Sequence, residues 1–252
     1  MNNGQIYNFN NAILRKEKEG SILDPVQFNL FLDSAMWEKI NAAYKMFEES
    51  QIITDALSQL MVNGETLAVD GSGEADLSGL TEDYLHVIPN PTYLLSGNTR
   101  EIEIVTEAEF AHYVSSGSMS PDTIWPIAKI VGTTLYANPI TSVNISFSYF
   151  KKPSSPYYDY YVNANDEQVY LVPATSHTLL AGEEYLDKDD MLTVRTAGYN
   201  ITAGINKSVE LPFPENERID VAYNILQKMG MPINKFDVAQ YGMIREQKEE
   251  TL

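Results

Sequence analysis

The spacing of apolar residues changes twice along this chain of 252 residues, and that change restricts the folds available to it. Residues 4–19 and 24–61, and later residues 217–229 and 235–249, place their apolar side chains at the period of an α-helix. Between them, residues 65–212 contain short runs in which apolar and polar side chains alternate, as they do in a half-buried strand. The sequence therefore predicts an α+β fold, with helices from both ends around a strand-rich middle.

The second helical segment has the clearest start signal. Asp24 is placed to cap the helix, Pro25 occupies its first position, and Gln27 stands three residues after the cap. A wide apolar stripe follows at helical spacing and predicts a helix buried along much of its length: Phe28, Phe31, Leu32, Ala35, Met36, Ile40, Ala43, Tyr44 and Phe47. The pattern continues to Met61, and Asn63-Gly64 is predicted to end it.

Residues 142–150 form the clearest predicted strand. Apolar Val143, Ile145, Phe147 and Tyr149 alternate with polar Asn144, Ser146 and Ser148. One apolar and one polar face indicate an antiparallel sheet. Further strands are predicted at 84–88, 92–95, 101–105, 127–131, 134–137, 169–172, 178–180 and 192–196. Thr106 and Glu109 form a capping box that predicts a short helix.

These patterns predict four segments. Residues 1–64 are a helical part, and residues 65–156 are an antiparallel β domain. Residues 157–212 follow the Pro-rich break Lys151-Lys-Pro-Ser-Ser-Pro156 and are predicted to be an inserted β-arm. Residues 213–252 supply the C-terminal helices that complete a helical bundle with the N-terminal ones.

The charge and the cysteine content exclude several functions. The net charge is −18, which opposes binding to a phosphate backbone, so sequence-specific reading of DNA is not expected. The chain has no cysteine, so it forms no disulfide, thiolate nucleophile or zinc–thiolate site. The sequence shows no secretory signal and no apolar run of membrane-spanning length. We expect a soluble protein made in a cytoplasm.

The residues that could carry chemistry form no strong motif. His86, His112 and His177 lack a second histidine at metal-binding spacing, so we expect surface or structural histidines. The acidic residues of 70–76 resemble a calcium loop but lack its turn glycine and closing glutamate, and a solvated loop is expected. Residues 187–190 are interpreted as a hairpin tip. We expect no enzyme, cofactor or metal site, although a carboxylate pair distant in sequence is not excluded.

Two segments are candidates for binding a partner. Tyr157, Tyr158, Tyr160 and Tyr161 form an aromatic cluster with few basic neighbours, and tyrosine is enriched at protein interfaces. The alternative is a strand that the protein's own fold covers on both faces. The predicted last helix ends in a polar tip and is suited to dock in a partner's groove through the side chains of Phe236, Met243 and Arg245.

The order of several segments resembles the head–tail connector proteins of short-tailed bacteriophages, particularly the crAss-like phages. Gly20-Ser-Ile-Leu-Asp-Pro-Val-Gln-Phe-Asn29 is similar to the family's "G-x-x-x-x-P-x-x-F-N" helix start. Leu80-Thr-Glu-Asp-Tyr84 is similar to its "LPxDY" strand, with Thr81 in place of the proline. The remaining similar segments are residues 103–109, 121–129, 143–153 and 210–230. Residues 157–211 form a longer segment than a minimal connector needs.

The resemblance implies a structural protein of the virion. Such connectors form closed rings, commonly of twelve copies, between the portal protein and the neighbouring tail ring proteins. They extend the channel through which DNA passes without specific binding, and no membrane is involved. A protein of the virion neck or tail would be made in the cytoplasm of the bacterial host. Two alternatives stay open: a tail or fibre-attachment protein with the tyrosine cluster outside, and a carboxylate-based glycan hydrolase.

Overall fold

The computed structural model describes residues 1–17, 23–45, 57–88, 90–188 and 193–231 of an α+β protein. The chain divides into two compact units. Unit 1 contains Met1–Gln59 and Ser154–Leu252, and unit 2 contains Leu60–Pro153. Unit 2 is therefore an insertion in unit 1. The second boundary falls inside the Pro-rich break that the sequence shows after Lys151.

The helices of unit 1 are α1 (Asn3–Glu17), α2 (Pro25–Lys45) and α4 (Arg218–Lys228). The Asp24 side chain accepts a hydrogen bond from the Val26 N–H at 3.2 Å, as its predicted capping position requires. Helix α4 packs against both α1 and α2. The Lys39 ammonium on α2 lies 2.7 Å from the Glu217 carboxylate and 3.0 Å from that of Asp220, which fixes the start of α4.

Helix α4 ends where its sequence predicts. Gly230 adopts a φ of 75°, which an L side chain rarely tolerates, and Pro232 follows it in the sequence. The Met231 N–H donates to the Leu226 carbonyl at 3.1 Å, and the Gly230 N–H donates to the Gln227 carbonyl at 2.9 Å. This pair of bonds is a Schellman motif, which satisfies the last carbonyls of the helix.

Residues 154–212 form three two-stranded antiparallel ladders in unit 1. They pair β10 (Tyr160–Val162) with β11 (Gln168–Tyr170), β12 (His177–Thr178) with β15 (Asn200–Ile201), and β13 (Tyr185–Asp187) with β14 (Thr193–Arg195). The segment is joined closely to α1. The Asn3 side-chain amide donates to the Val209 carbonyl at 2.7 Å, and a Cβ at Gly4 would lie 2.6 Å from the Cβ of Tyr170. The segment predicted as an arm thus packs on the helices of its own unit.

Unit 2 consists of two sheets and one short helix. The first sheet has the order β1-β9-β4-β5, and β3 also pairs with β9: β1 (Met61–Val69), β3 (Tyr84–Val87), β4 (Thr92–Leu95), β5 (Asn98–Glu101) and β9 (Val143–Lys151). The second has the order β2-β8-β7-β6: β2 (Glu74–Asp76), β6 (Glu103–Ile104), β7 (Ile127–Val131) and β8 (Thr134–Asn138). All described strand pairs are antiparallel except β6 with β7.

The two sheets share one apolar core. Leu67, Ile145 and Phe147 from the first sheet lie in the same buried cluster as Ala128 and Leu135 from the second. Strand β9 buries Ile145, Phe147 and Tyr149 and exposes Asn144 and Ser146, which is the alternation that the sequence predicts. Helix α3 (Glu107–Ser115) begins with the predicted capping box of Thr106 and Glu109.

The predicted helix through Met61 is wrong at its end, because Met61 begins strand β1. Residues 46–56 of that prediction lie outside the described residues. The Asn63-Gly64 pair marks a β-bulge and not a helix cap. Gly64 has a φ of 64°, lies at the register shift between Val62 and Glu65, and donates its N–H to the Ser148 hydroxyl at 2.9 Å.

The strand predicted at 101–105 is divided between the two sheets. Strand β5 ends at Glu101, and β6 begins at Glu103. Between them, Ile102 is fully buried, and its N–H donates to the Pro91 carbonyl at 2.8 Å. Glu103 then donates its N–H to the Pro126 carbonyl at 3.1 Å. The apolar pattern continues through this crossing, so it does not reveal where one sheet ends and the other begins.

Tyr149 makes the stability of unit 2 fall as the pH rises through the alkaline range. Its hydroxyl donates to the Glu65 carboxylate at 2.9 Å. Burial, and next the hydrogen bond to Glu65, raise the pKa of Tyr149 to about 12. The pKa of Tyr149 is higher in the folded protein than the ordinary value of 10.0, so the protonated hydroxyl stabilises the fold at pH values below 10. This stabilisation is lost as the pH rises from 10 toward 12.

We therefore expect the stability difference between the wild type and Tyr149→Phe to narrow between pH 10 and 12. Urea unfolding followed by near-ultraviolet circular dichroism at a series of pH values measures this difference. The comparison removes the contribution of the other tyrosines, which both proteins share. A difference that stays constant across the window would contradict the role given to the Tyr149 hydroxyl.

Candidate interaction surfaces

A buried carboxylate organises the tyrosine-rich segment of unit 1. Asp159 is fully buried, and its carboxylate accepts hydrogen bonds from the N–H groups of Tyr160 at 3.1 Å and Lys207 at 3.0 Å. The Tyr185 hydroxyl donates to it at 3.0 Å, and the Lys188 ammonium forms an ion pair with it. Because its donors come from three parts of the segment, this carboxylate links β10, the end of β13 and the chain before Ser208.

The ammonium of Lys188 also lies over two aromatic rings. It is 4.9 Å from the ring centroid of Tyr157 and 5.6 Å from that of Tyr160. Such cation–π contacts add to the ion pair with Asp159 and place both rings around the cation. Tyr157 and Tyr160 therefore have a structural role inside unit 1, although each keeps part of its surface exposed.

Tyr158 is a core residue, which corrects its assignment as a partner-binding side chain. Only 1% of its surface is exposed. Its ring stacks on Tyr7 at a centroid distance of 4.6 Å and on Tyr170 at 5.3 Å, and it meets the Phe28 ring edge-on at 5.5 Å. Burial raises the pKa of its hydroxyl. Tyr158 joins α1, α2 and the strand segment and has no surface to present to a partner.

Tyr161 lies beside His177, a histidine that has a carboxylate partner. Its ring stacks on His177 at a centroid distance of 4.2 Å. The His177 Nε2 lies 2.9 Å from the Glu183 carboxylate, which also accepts the Leu180 N–H at 2.7 Å. The Leu180 N–H, and then His177, hold the pKa of Glu183 below its usual value. This arrangement closes the loop between His177 and Glu183.

The acidic loops of the sequence use their carboxylates to bind backbone groups. Asp70 accepts the N–H of Ser72 at 2.7 Å and of Glu74 at 2.9 Å, as a solvated turn does. Asp187 is buried, accepts hydrogen bonds from Arg195 and Tyr199, and ends β13 opposite Thr193, so it borders the connection of the β13–β14 hairpin. Residues 189–190 lie outside the described residues. Within the part of the chain that is described, no group of three or more His, Cys, Asp or Glu side chains is arranged to hold a metal ion.

Unit 2 exposes large apolar side chains on the loop that follows α3. Trp125 is 79% exposed, and Met119 and Ile124 on the same loop are also exposed. The loop nevertheless has internal support. The Asp122 carboxylate accepts the N–H of Ile124 at 2.7 Å and of Trp125 at 2.9 Å, and the Tyr93 hydroxyl donates to the Thr123 carbonyl. An exposed tryptophan on a supported loop is typical of an interaction surface.

The same unit has a shallow depression on the outer face of its first sheet. Its volume is about 600 Å³, and its lining comes from β1, β4, β5 and β9. The residues that line it are uncharged: Thr66, Thr92, Tyr93, Leu94, Thr99, Val143, Asn144, Ile145 and Ser146. Leu94 is 72% exposed beside it. In a chain with a net charge of −18, an uncharged face of this size is a candidate binding surface.

The sequence analysis did not identify either surface of unit 2, although each has a signal in the sequence. Leu94 follows buried Tyr93 in a predicted strand, so alternation alone places it outside. Trp125 stands before Pro126 in a turn-rich stretch, where burial is not expected. Phe236, Met243 and Arg245, the predicted docking residues of the last helix, lie outside the described residues.

No protein-family model matches the chain, and no curated protein matches it significantly. In the described residues, no helix combines the length and the apolar character needed to cross a bilayer.

Proposed function

We propose that this protein is a structural component of a phage particle, which forms a head–tail connector ring below the portal. The observation that carries the proposal is the exposed Trp125 loop on the same unit as an uncharged sheet face. Trp125 is 79% exposed on a loop that also exposes Met119 and Ile124, and exposed apolar side chains that cluster commonly mark an interaction surface. We propose a connector in particular because the order of several sequence segments resembles the connector family.

The charge is compatible with a channel for DNA. A chain of net charge −18 repels the phosphate backbone, so DNA would pass a ring of such chains without binding to it. The proposed partners are further copies of the chain, the portal protein and the neighbouring tail ring protein. In a ring each copy uses two different surfaces, one toward each neighbour.

The alternative of a tail or fibre-attachment protein gains no support from the tyrosine cluster. That function requires Tyr157–Tyr161 to lie outside. Tyr158 is instead in the core, and Tyr157 and Tyr160 surround the Lys188 ammonium. The glycan hydrolase requires two carboxylates in a cleft. Asp159, the fully buried carboxylate of the tyrosine segment, is instead occupied by its own hydrogen-bond donors.

The proposal predicts that the purified full-length protein forms closed rings of many copies, about twelve by the family resemblance. Analytical ultracentrifugation over a range of concentrations measures the mass, and negative-stain electron microscopy shows whether the particles are closed. A protein that stays monomeric at every concentration, with and without a portal ring added, would overturn the proposal.

A further inference from the structure

We propose that copies of this chain associate head to tail through unit 2, with the Trp125 side chain of one copy in the sheet depression of the next. This inference rests on the proposed ring function and adds to it the surfaces that touch. The Trp125 loop is called the knob, and the depression lined by β1, β4, β5 and β9 is called the hole.

The knob is prepared for binding before any partner arrives. The Asp122 carboxylate holds the N–H groups of Ile124 and Trp125, and Pro126 restricts the backbone immediately after the tryptophan. The Tyr93 hydroxyl fixes the carbonyl of Thr123 from within the unit. A loop with these restraints loses little conformational freedom on binding, which favours affinity.

The hole suits an indole ring in size and in chemistry. A volume of about 600 Å³ falls in the range of pockets that hold small organic molecules. Its floor is the face of β9 that carries Asn144 and Ser146, flanked by Thr66 and Thr92 on the adjacent strands. Hydroxyl and amide groups there can accept the indole N–H, while Leu94 supplies an apolar wall.

The knob and the hole lie on opposite sides of the same strand. Along β4, Thr92, Tyr93 and Leu94 all border the hole, but the Tyr93 side chain is 5% exposed and its hydroxyl reaches the Thr123 carbonyl. Successive side chains of a strand point to opposite faces. One copy therefore cannot fill its own hole with its own knob. Two copies that dock in this way leave one knob and one hole unused, so further copies can add. The assembly closes into a ring when the rotation from copy to copy permits it.

Charge explains why this pair of surfaces is selected. Two copies of net charge −18 repel each other over most of their surface. At the hole, none of the lining residues is charged. Carboxylates stand beside it in the sheet, with Glu101 paired to Thr92 and Glu65 next to Thr66 on β1. On the knob, the Asp122 carboxylate is engaged by two backbone N–H groups. The contact therefore brings few carboxylates together.

The test uses one variant for each surface in the full-length protein. Trp125→Ser removes the knob and keeps the hole. Ser146→Glu fills the hole with a charged side chain at an exposed strand position and keeps the knob. Leu30, which is 68% exposed on α2 of unit 1, gives matched controls as Leu30→Ser and Leu30→Glu. We expect each unit 2 variant to need at least a tenfold higher concentration to assemble than wild type, and the Leu30 variants to assemble as wild type does.

Mixing the two unit 2 variants tests the head-to-tail arrangement. The knob of Ser146→Glu can enter the hole of Trp125→Ser, and the other two surfaces of the pair are inactive. An equimolar mixture is expected to give dimers and nothing larger by analytical ultracentrifugation. Circular dichroism of each variant confirms that the fold is retained.

The outcomes separate this inference from the proposed function. If wild type assembles and Trp125→Ser assembles equally well, the contact is wrong while the ring function stands. If the mixture gives no dimers, or if either variant dimerises alone, the knob and hole do not pair head to tail. If wild type never assembles, both the inference and the ring function fail.

Discussion

Asp159→Ala is expected to lower the free energy of unfolding of unit 1 by about 3 kcal/mol. The substitution leaves the Lys188 ammonium without the Asp159 carboxylate, and it removes one hydrogen-bond acceptor from the Tyr185 hydroxyl and from the Lys207 N–H. Breaking a buried ion pair typically costs ~3–5 kcal/mol, because the remaining charge is uncompensated. We expect the lower end, since the Lys188 side chain is 22% exposed and can partly reach water.

The chain provides a reporter and two controls for this experiment. Of its two tryptophans, Trp37 lies on α2 in unit 1, so its fluorescence in a Trp125→Phe background follows the urea unfolding of that unit. Glu38 makes an exposed pair with Lys228, and Glu38→Ala should change the stability by less than about 1 kcal/mol. Adding Lys188→Met to Asp159→Ala removes the unpaired cation and should recover part of the loss. Equal effects of Asp159→Ala and Glu38→Ala would contradict the structural role of the network.

Tyr158→Ala is expected to destabilise unit 1 by about 3–5 kcal/mol. The side chain is 1% exposed and contacts the rings of Tyr7, Phe28 and Tyr170. Its removal leaves a cavity between two helices and the strand segment, which the rigid surrounding elements cannot fill completely. The Trp37 fluorescence assay measures the loss.

Tyr158→Phe is the matched control, because phenylalanine keeps the ring and its contacts. It should cost less than about 1.5 kcal/mol, as volume-conserving core substitutions usually do. Equal losses for the alanine and phenylalanine variants would mean that the hydroxyl, and not the ring packing, stabilises this position. No loss for either variant would return Tyr158 to the candidates for partner binding.

Signals within a few residues of sequence predicted the elements that depend only on neighbouring residues. The capping box of Thr106 and Glu109, the start of α2 at Pro25 and the alternation along β9 each depend on residues a few positions apart. The α+β class follows from these elements, because the change of period is visible without any tertiary contact. Gly64 shows the limit of such signals. An Asn-Gly pair fits both a helix end and a bulge, and the pairing of β1 with β9 decides between them.

The positions of the tyrosine cluster depend on contacts that sequence spacing does not show. Tyr158 is covered by Tyr7 and Phe28, which lie in the N-terminal helices. Asp159 is held by Lys188, 29 residues later in the chain. A run of four tyrosines around one aspartate resembles an exposed strand until those distant partners are known. Trp125 differs from these buried residues, because no distant partner covers its side chain and it stays exposed.

The insertion of unit 2 has a consequence for the order in which the chain folds during synthesis. Strands β1 and β9 pair Met61 with Phe150, so unit 2 contains all of its own partners once residue 153 leaves the ribosome. Helices α1 and α2 must wait for α4 and the residues around Tyr158, which follow the whole insertion. At translation rates of about 5–20 residues per second, the wait from α2 to the end of α4 is roughly 10–40 s, during which α4 cannot cover the apolar stripe of α2. The nascent N-terminal helices are therefore a natural binding site for a chaperone.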